Sequence, residues 1–419
     1  MPEAERVPSD LHEDLLRLTI ALGAESGLER LSLRQIATAA GVSTTAIFQN
    51  FAGKAELFAA AVTQAVAQDD AFQQRFAEDA FSLVSGHDAL ADVMTACVQL
   101  RASRCEARFL SEVLINLRDY PECTESIGRW HERRVNQWQQ LLVRLGIDAA
   151  FAPLLVGYLL MEGFYAHALT GSASYRMLLA ETCRALCDTV TREHGNERKG
   201  GSVSIALDVQ PFAVRDPSLP EATLPMAEHL LARAVEIINE GGIRKLNQRS
   251  LASRAGVSGS LIAYHFGDMK TLTIQAIWRA LVQGIPSQLD PAGDRSTFPK
   301  SLDEWFDALE AMLDVSDHGA NGFYISVSLL SASACLLACN NPELMPLVTY
   351  LRGLEGWGTY RVSQALPSTG GAIQRDHAAA FGIWIKSEAL LRHLRVRFQH
   401  AAPVLVADAA AMLFPVPRP

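Results

Sequence analysis

Sliding the sequence along itself by 215 positions brings two segments into register without a gap: LLRLTIALGAESGLERLSLRQIATAAGVSTTAIFQNFAGKAELFAAAV at 15–62 and LLARAVEIINEGGIRKLNQRSLASRAGVSGSLIAYHFGDMKTLTIQAI at 230–277. Of the 48 aligned positions 15 are identical, among them Gly27 with Gly242, Arg34 with Arg249, residues 40–43 with 255–258, and Phe51 with Phe266. A period this long lies far above the roughly 20–50 residues of stacked solenoid repeats, so the repeated unit is a whole domain. Any fold for this chain must contain one module twice.

Each copy reads locally as three short helices. In the first copy Leu15, Leu18 and Leu22 recur at helical spacing through residues 11–23, and Gly27, or Gly242 in the second copy, stands where that helix should stop. Ser32 and Asn247 are good N-caps for a second helix through Ile36 or Leu251. Gly41 or Gly256 ends it, being free to take a positive φ. Ser43 and Ser258 cap a third helix, predicted over 44–50 and 259–265, after which Phe51 or Phe266 turns back toward the core.

Helix, glycine turn, helix is the helix-turn-helix arrangement, whose second helix enters the major groove. Its hydroxyls and amides reach base edges and phosphates while Val42 or Val257 faces inward. The candidate DNA contacts are Ser32, Arg34, Ser43, Thr44, Thr45, Phe48, Gln49, Asn50 and Lys54 in the first copy. In the second they are Asn247, Arg249, Ser258, Gly259, Ser260, Tyr264, His265 and Lys270. A plain solvent-facing three-helix bundle is the bland alternative, and the recurrence of the whole pattern weighs against it.

Charge supports a nucleic-acid partner only when read locally. The 419 residues carry a net charge of −9, which taken alone speaks against DNA. Residues 15–62, however, have four basic and three acidic side chains, and residues 228–282 have seven and four. Phosphate neutralisation dominates non-specific affinity, so the second copy is expected to contribute more of it.

The stretches LSLRQIATAAGVSTTAIFQNFAGKAELF and LNQRSLASRAGVSGSLIAYHFGDMKTLT resemble the N-terminal DNA-binding segment of the TetR family of bacterial regulators, with its Gly-Val-Ser turn, aromatic end of the recognition helix, and Lys then Leu beyond. The resemblance covers about 50 residues per half. Departures are Phe48 and Ala263 where a phosphate-bonding Tyr is usual, and Met269 at the usual Lys, with Lys270 one place on. The resemblance implies an all-α fold: two tandem units, each a helix-turn-helix head followed by a helical ligand-binding and dimerisation body. Helical periodicity agrees through 88–118, 121–145, 147–169, 172–194, 301–315, 321–340, 342–365, 376–397 and 401–414, with a brief strand-like alternation at 202–214.

The expected division is head one at 1–60, body one at 61–194, a linker at 195–222, head two at 223–275 and body two at 276–419. Extended, the linker spans roughly 90 Å. Tethering raises the effective concentration of the intrachain partner, so one chain is expected to act as a pseudo-dimer with two unlike heads, pairing of two chains being the alternative.

Partners implied are a double-stranded DNA operator and a small, hydrophobic or aromatic effector. Candidate effector contacts are Phe109, Asn116, Trp138, Glu162 and Tyr165 in body one and Trp305, Phe323, Tyr324, Trp357 and Trp384 in body two, each of which also reads as ordinary core. Glu162, in an apolar run, must be paired, hydrated or at an interface.

The function expected is a DNA-binding transcriptional regulator, a repressor under effector control. The contrasting reading is a ligand-binding or protein-interaction module whose heads no longer bind DNA. No GxSxG, phosphate loop, HExxH or dinucleotide fingerprint points to an enzyme, and no cofactor is expected. Seven cysteines suit free thiols, and the pairs Cys183/Cys187 and Cys335/Cys339 lack companions at zinc spacing, so no metal is expected. Residues 1–10 show no signal pattern, and the richest apolar stretch, 147–169, carries Asp148, Glu162 and His167. No membrane span is expected, and the expected location is the cytoplasm.

Overall fold

The computed structural model describes residues 8–28, 30–83, 86–190, 224–282, 299–313, 322–366, 373–394 and 404–414. The expected linker and the strand-like stretch 202–214 lie outside them. Among the described residues every regular element is helical. The first half contains α1 (Pro8–Ser26), α2 (Leu33–Ala40), α3 (Thr44–Asn50), α4 (Lys54–Leu83), α5 (Leu90–Ala102), α6 (Cys105–Ile115), α7 (Thr124–Arg144), α8 (Ala152–Leu169) and α9 (Ala173–Val190). The second contains α10 (Pro225–Gly241), α11 (Gln248–Ala255), α12 (Gly259–Phe266), α13 (Met269–Val282), α14 (Leu302–Ala311), α15 (Phe323–Ala338), α16 (Met345–Leu354), α17 (Trp357–Ala365), α18 (Arg375–His393) and α19 (Val406–Leu413).

Two compact units result. Of the described residues, one holds those up to 89, 96–156 and Leu394, and the other holds 90–95, those from 157 to 393, and 404–414, so α8 is divided after Val156. In the first unit α1 packs on α4 and α6, and α4 on α6 and α7. Gly23 is needed there, because a Cβ on it would stand 2.7 Å from the Phe109 ring. In the second unit α10 packs on α13, while α18 packs on α9, α15 and α17.

Two predicted helices are each broken in two. The stretch 88–118 stops at Ser103 and resumes at Cys105, with Arg104 extended between them. The stretch 342–365 breaks at Gly356, whose φ is +69°. A Cβ there would meet the Ala378 carbonyl oxygen at 1.8 Å, so the turn exists only because glycine lets α17 sit against the α18 backbone.

The helical segment 149–169 is long and apolar enough to cross a bilayer by composition, with a mean hydropathy of 1.4. The fold uses it as a core helix, 83% buried.

Candidate nucleic-acid interface and effector cavity

The first head is built by local chemistry. Ser32 accepts from the Gln35 N–H while the Gln35 side chain accepts from the Ser32 N–H, a reciprocal cap that starts α2. Gly41 ends it at φ +68°. Ser43 then caps α3 through the Ala46 N–H, and α3 covers the predicted residues. Ile47 and Phe51 are buried beneath it.

That burial leaves Thr44, Thr45, Phe48 and Gln49 exposed on one side, Phe48 by 54%. Asn50 is half-buried and donates to the Ala46 carbonyl, so its amide is partly spent within the helix. Arg34 is exposed, and Lys54 is exposed with its ammonium 5.1 Å from the Phe58 ring centre. Ser32 and Ser43 serve as caps in this geometry.

The second head keeps the frame and changes the face. Asn247 and Ser250 form the matching reciprocal cap of α11, and Gly256 closes it at φ +67°. Ser258 occupies the N-cap position of α12, but its hydroxyl pairs with Ser260 at 2.8 Å and caps no N–H, unlike the expectation. The helix also runs one residue past the predicted end, to Phe266. Gly259 carries no reading group. Its carbonyl accepts from Gln248, and a Cβ there would stand 2.8 Å from that amide.

Tyr264 is the outstanding group of this face, 77% exposed and edge-on to His265 at 5.0 Å. Arg249 is exposed, whereas Lys270 is ion-paired with Glu343 at 2.6 Å. Arg233, Arg254 and Arg279 likewise pair with Glu236, Glu240 and Glu228. Those three carboxylates are already counted among the four acidic side chains of 228–282, so only the pairing with Glu343 reduces the local positive excess.

Behind the second head lies a cavity of about 90 Å³. Trp278 and Leu281 of α13, Phe323, Tyr324 and Val327 of α15, Tyr350, Leu351 and Leu354 of α16, residues 355–359, and Gly382 and Lys386 of α18 line it. Of the ten candidate effector residues, Phe323, Tyr324 and Trp357 are in this lining. The others are placed elsewhere: Phe109 against Gly23, Trp138 in the core, Asn116 bonded to the Glu112 carbonyl, Trp305 donating to Thr359, and Trp384 against Gly157.

Local periodicity gives no sign of Trp278, Tyr350 or Lys386, because four separate stretches of the chain, 278–281, 323–327, 350–359 and 382–386, supply the wall. The polar end of the cavity is already satisfied: Lys386 donates to Glu355 at 2.6 Å, and the Tyr165 hydroxyl donates to the same carboxylate.

Glu162 and Tyr165 belong to a buried polar network in the second unit. Arg352 Nε donates to Glu162 at 3.0 Å and its Nη2 to Thr182 at 3.1 Å, while Tyr175 donates to Glu162 at 2.9 Å. Burial opposes the Arg352 charge, but the Glu162 carboxylate outweighs it and raises the pKa.

A second buried cluster, in the first unit, has no counterpart among the predicted residues. Asp69 accepts from Arg101 Nε at 2.9 Å and from the Trp130 indole at 2.8 Å. Burial alone would raise the Asp69 pKa, yet Arg101, Arg134 and these hydrogen bonds together hold it below its ordinary value. Burial, with help from the like charge of Arg101, lowers Arg134 to about 10, and burial and the Arg134 charge lower His131 to about 3. Among the described residues no group of three or more His, Cys, Asp or Glu side chains is placed to hold a metal ion.

With this geometry in place, comparison with known proteins is informative at the heads. No curated protein matches the chain. Residues 15–61 and 230–276 both match the sequence profile of the family described as bacterial regulatory proteins, tetR family, and these spans are the two three-helix heads with the first turns of α4 and α13. The chain thus carries two tandem copies of the domain that this profile of bacterial regulatory proteins, tetR family, describes.

Proposed function

We propose that the protein is a repressor that binds its operator as an intrachain pseudo-dimer, one unlike head per half-site, and releases it when a small apolar or aromatic effector enters the cavity of the second half. The observation that carries this reading is the path of α13. Lys270 stands in its first turn, immediately after the reading helix α12, and Trp278 and Leu281 line the cavity further along. Eight residues of helix separate Lys270 from Trp278, about 12 Å. A rigid element thus joins the effector wall to the DNA-facing surface.

The cavity is partly open and smaller than the roughly 150 Å³ that admits benzene, so an aromatic molecule buried wholly within it would have to move its walls, α13 included. A coupling of about 1–3 kcal/mol would change operator affinity roughly 5- to 150-fold. Support for intrachain pairing comes from Glu162, Tyr165 and Thr182 of the first half, whose buried partners are Arg352 and Glu355 of the second.

Selection of bound duplexes from a random pool by the purified chain tests the reading. A two-part motif with unlike halves is expected. A palindrome would instead indicate like heads paired across chains, and absence of any enrichment overturns the regulator reading. One observation favours a second reading, in which the second head is a weak DNA binder: its Lys270 is occupied by Glu343. Equal loss of affinity on disabling either head counts against it.

A further inference from the structure

Behind the first head, α4, α5 and α7 close on a charged cluster that the proposed repressor mechanism leaves unused. Arg134 is 1% exposed and Arg101 5%, and both guanidinium groups lie against the Trp130 ring, 5.2 and 5.6 Å from its centre. Asp69, fully buried, is the carboxylate bonded to Arg101 and Trp130. The neighbouring Asp70 is matched by Arg133 at 2.8 Å.

Burial keeps the Cys97 thiol protonated and His131 neutral, so neither adds charge. Two buried cations therefore share Asp69, and one positive charge remains. Three guanidinium nitrogens, Nε and Nη1 of Arg134 and Nη2 of Arg101, are buried without a hydrogen-bond partner. Buried donors are ordinarily paired, and buried charges are ordinarily compensated.

We propose that this cluster is an anion site whose ligand is a compact organic carboxylate, held by Arg134 and Arg101 beside Trp130. A monoanion cancels the single residual charge, whereas a dianion such as phosphate would leave an excess of the opposite sign. A carboxylate is acceptor-only and offers about four lone-pair positions, which suits the three unpartnered donors, while Asp70 Oδ1, an acceptor also buried without a partner beside this cluster, gains nothing from it. Hydrogen bonds between charged donors and a carboxylate are also the stronger kind, which a water in the same place would not supply.

The site is chemically distinct from the second-half cavity, whose Lys386 is already neutralised by Glu355. It does not rest on the DNA reading. Binding can be measured without any duplex, so failure of one idea leaves the other standing.

The test is calorimetric titration of the full chain with sodium acetate and sodium benzoate, in chloride-free buffer at constant ionic strength, alongside thermal denaturation. Saturable one-to-one binding of at least one of them is expected, with a raised melting temperature. Benzyl alcohol, the neutral counterpart, should give neither effect at this site, and Arg134→Met should weaken carboxylate binding at least tenfold. Arg134→Met should also melt no lower than the parent in the absence of carboxylate, because an uncompensated buried charge has been removed.

If that variant does not fold, Arg134→Lys keeps the charge but loses the guanidinium donors and should weaken binding about fivefold. The proposal is overturned if neither acetate nor benzoate binds saturably. It is equally overturned if binding is undiminished in the Arg134 variants, or if phosphate binds more tightly than both carboxylates.

Discussion

The two halves begin alike and part company behind the head. Gly41 and Gly256 take nearly the same φ, Ile47 and Ile262 fill the same place under the third helix of each head, and Leu57 and Leu272 are both fully buried. Outside that frame α3 presents two threonines, Phe48 and Gln49, whereas α12 presents Ser260 and Tyr264. Deeper still, the first half buries an excess of cationic charge around Trp130, and the second holds a partly open, aromatic-walled cavity. Backbone geometry and core volume tolerate little change, while groups facing a groove or a ligand are free to differ. The duplicated scaffold therefore carries two different surfaces and two different interiors.

The largest expected effect tests the buried polar network of the second unit. Arg352→Met leaves Glu162 buried without its cation and should cost about 3–5 kcal/mol in chemical denaturation. Combining it with Glu162→Leu should restore much of that loss. Wild-type stability of the single variant would mean the pair contributes nothing.

Two glycines sharpen the contrast between head and body. Gly356→Ala combines a positive φ with a backbone collision and should cost about 2–4 kcal/mol, while Gly41→Ala meets nothing within 4 Å and should cost only the φ strain, about 1–2 kcal/mol. Similar melting temperatures for the two variants would contradict this ranking.

The first interior should also be the acid-sensitive one. His131 is held neutral down to about pH 3, so between there and its unfolded value near 6.5 only the unfolded chain binds that proton. Its contribution is fully present above pH 6.5 and is lost as pH falls, by about 1.4 kcal/mol per unit. His131→Gln should remove one proton's worth of that slope in urea denaturation at several pH values.

Smaller effects are expected at the reading faces. Tyr264→Ala should weaken selected-duplex binding about tenfold, with no change in melting, because the side chain is exposed. Phe48→Ala, which loses no hydroxyl, should weaken it less; the reverse order would make the first head the dominant reader. Smallest of all, Glu343→Ala releases Lys270 and should steepen the salt dependence of binding by about one phosphate, a change of ~0.9 in the log–log slope.

What could be read directly from the chain was whatever neighbouring residues decide. Ser32 with Gln35, Gly41, and the spacing of Ile36, Ile47 and Phe51 specify two turns and two helices within 20 residues, and the repeat at 230–277 specifies them again. Capping and left-handed turns are local hydrogen-bonding and steric facts, and helical spacing reports burial directly. The same reasoning required Glu162 to be paired, hydrated or at an interface, without choosing among them.

Tertiary packing alone chose Arg352, 190 residues away in sequence, and brought Asp69, Arg101, Trp130 and Arg134 together from three helices. It also split one predicted helix at Gly356, where a second backbone passes too close for any side chain, and so created the wall of the cavity. Such partners are selected by distance in space and by the cost of burying charge unmatched. Neither quantity is written in the order of residues along the chain.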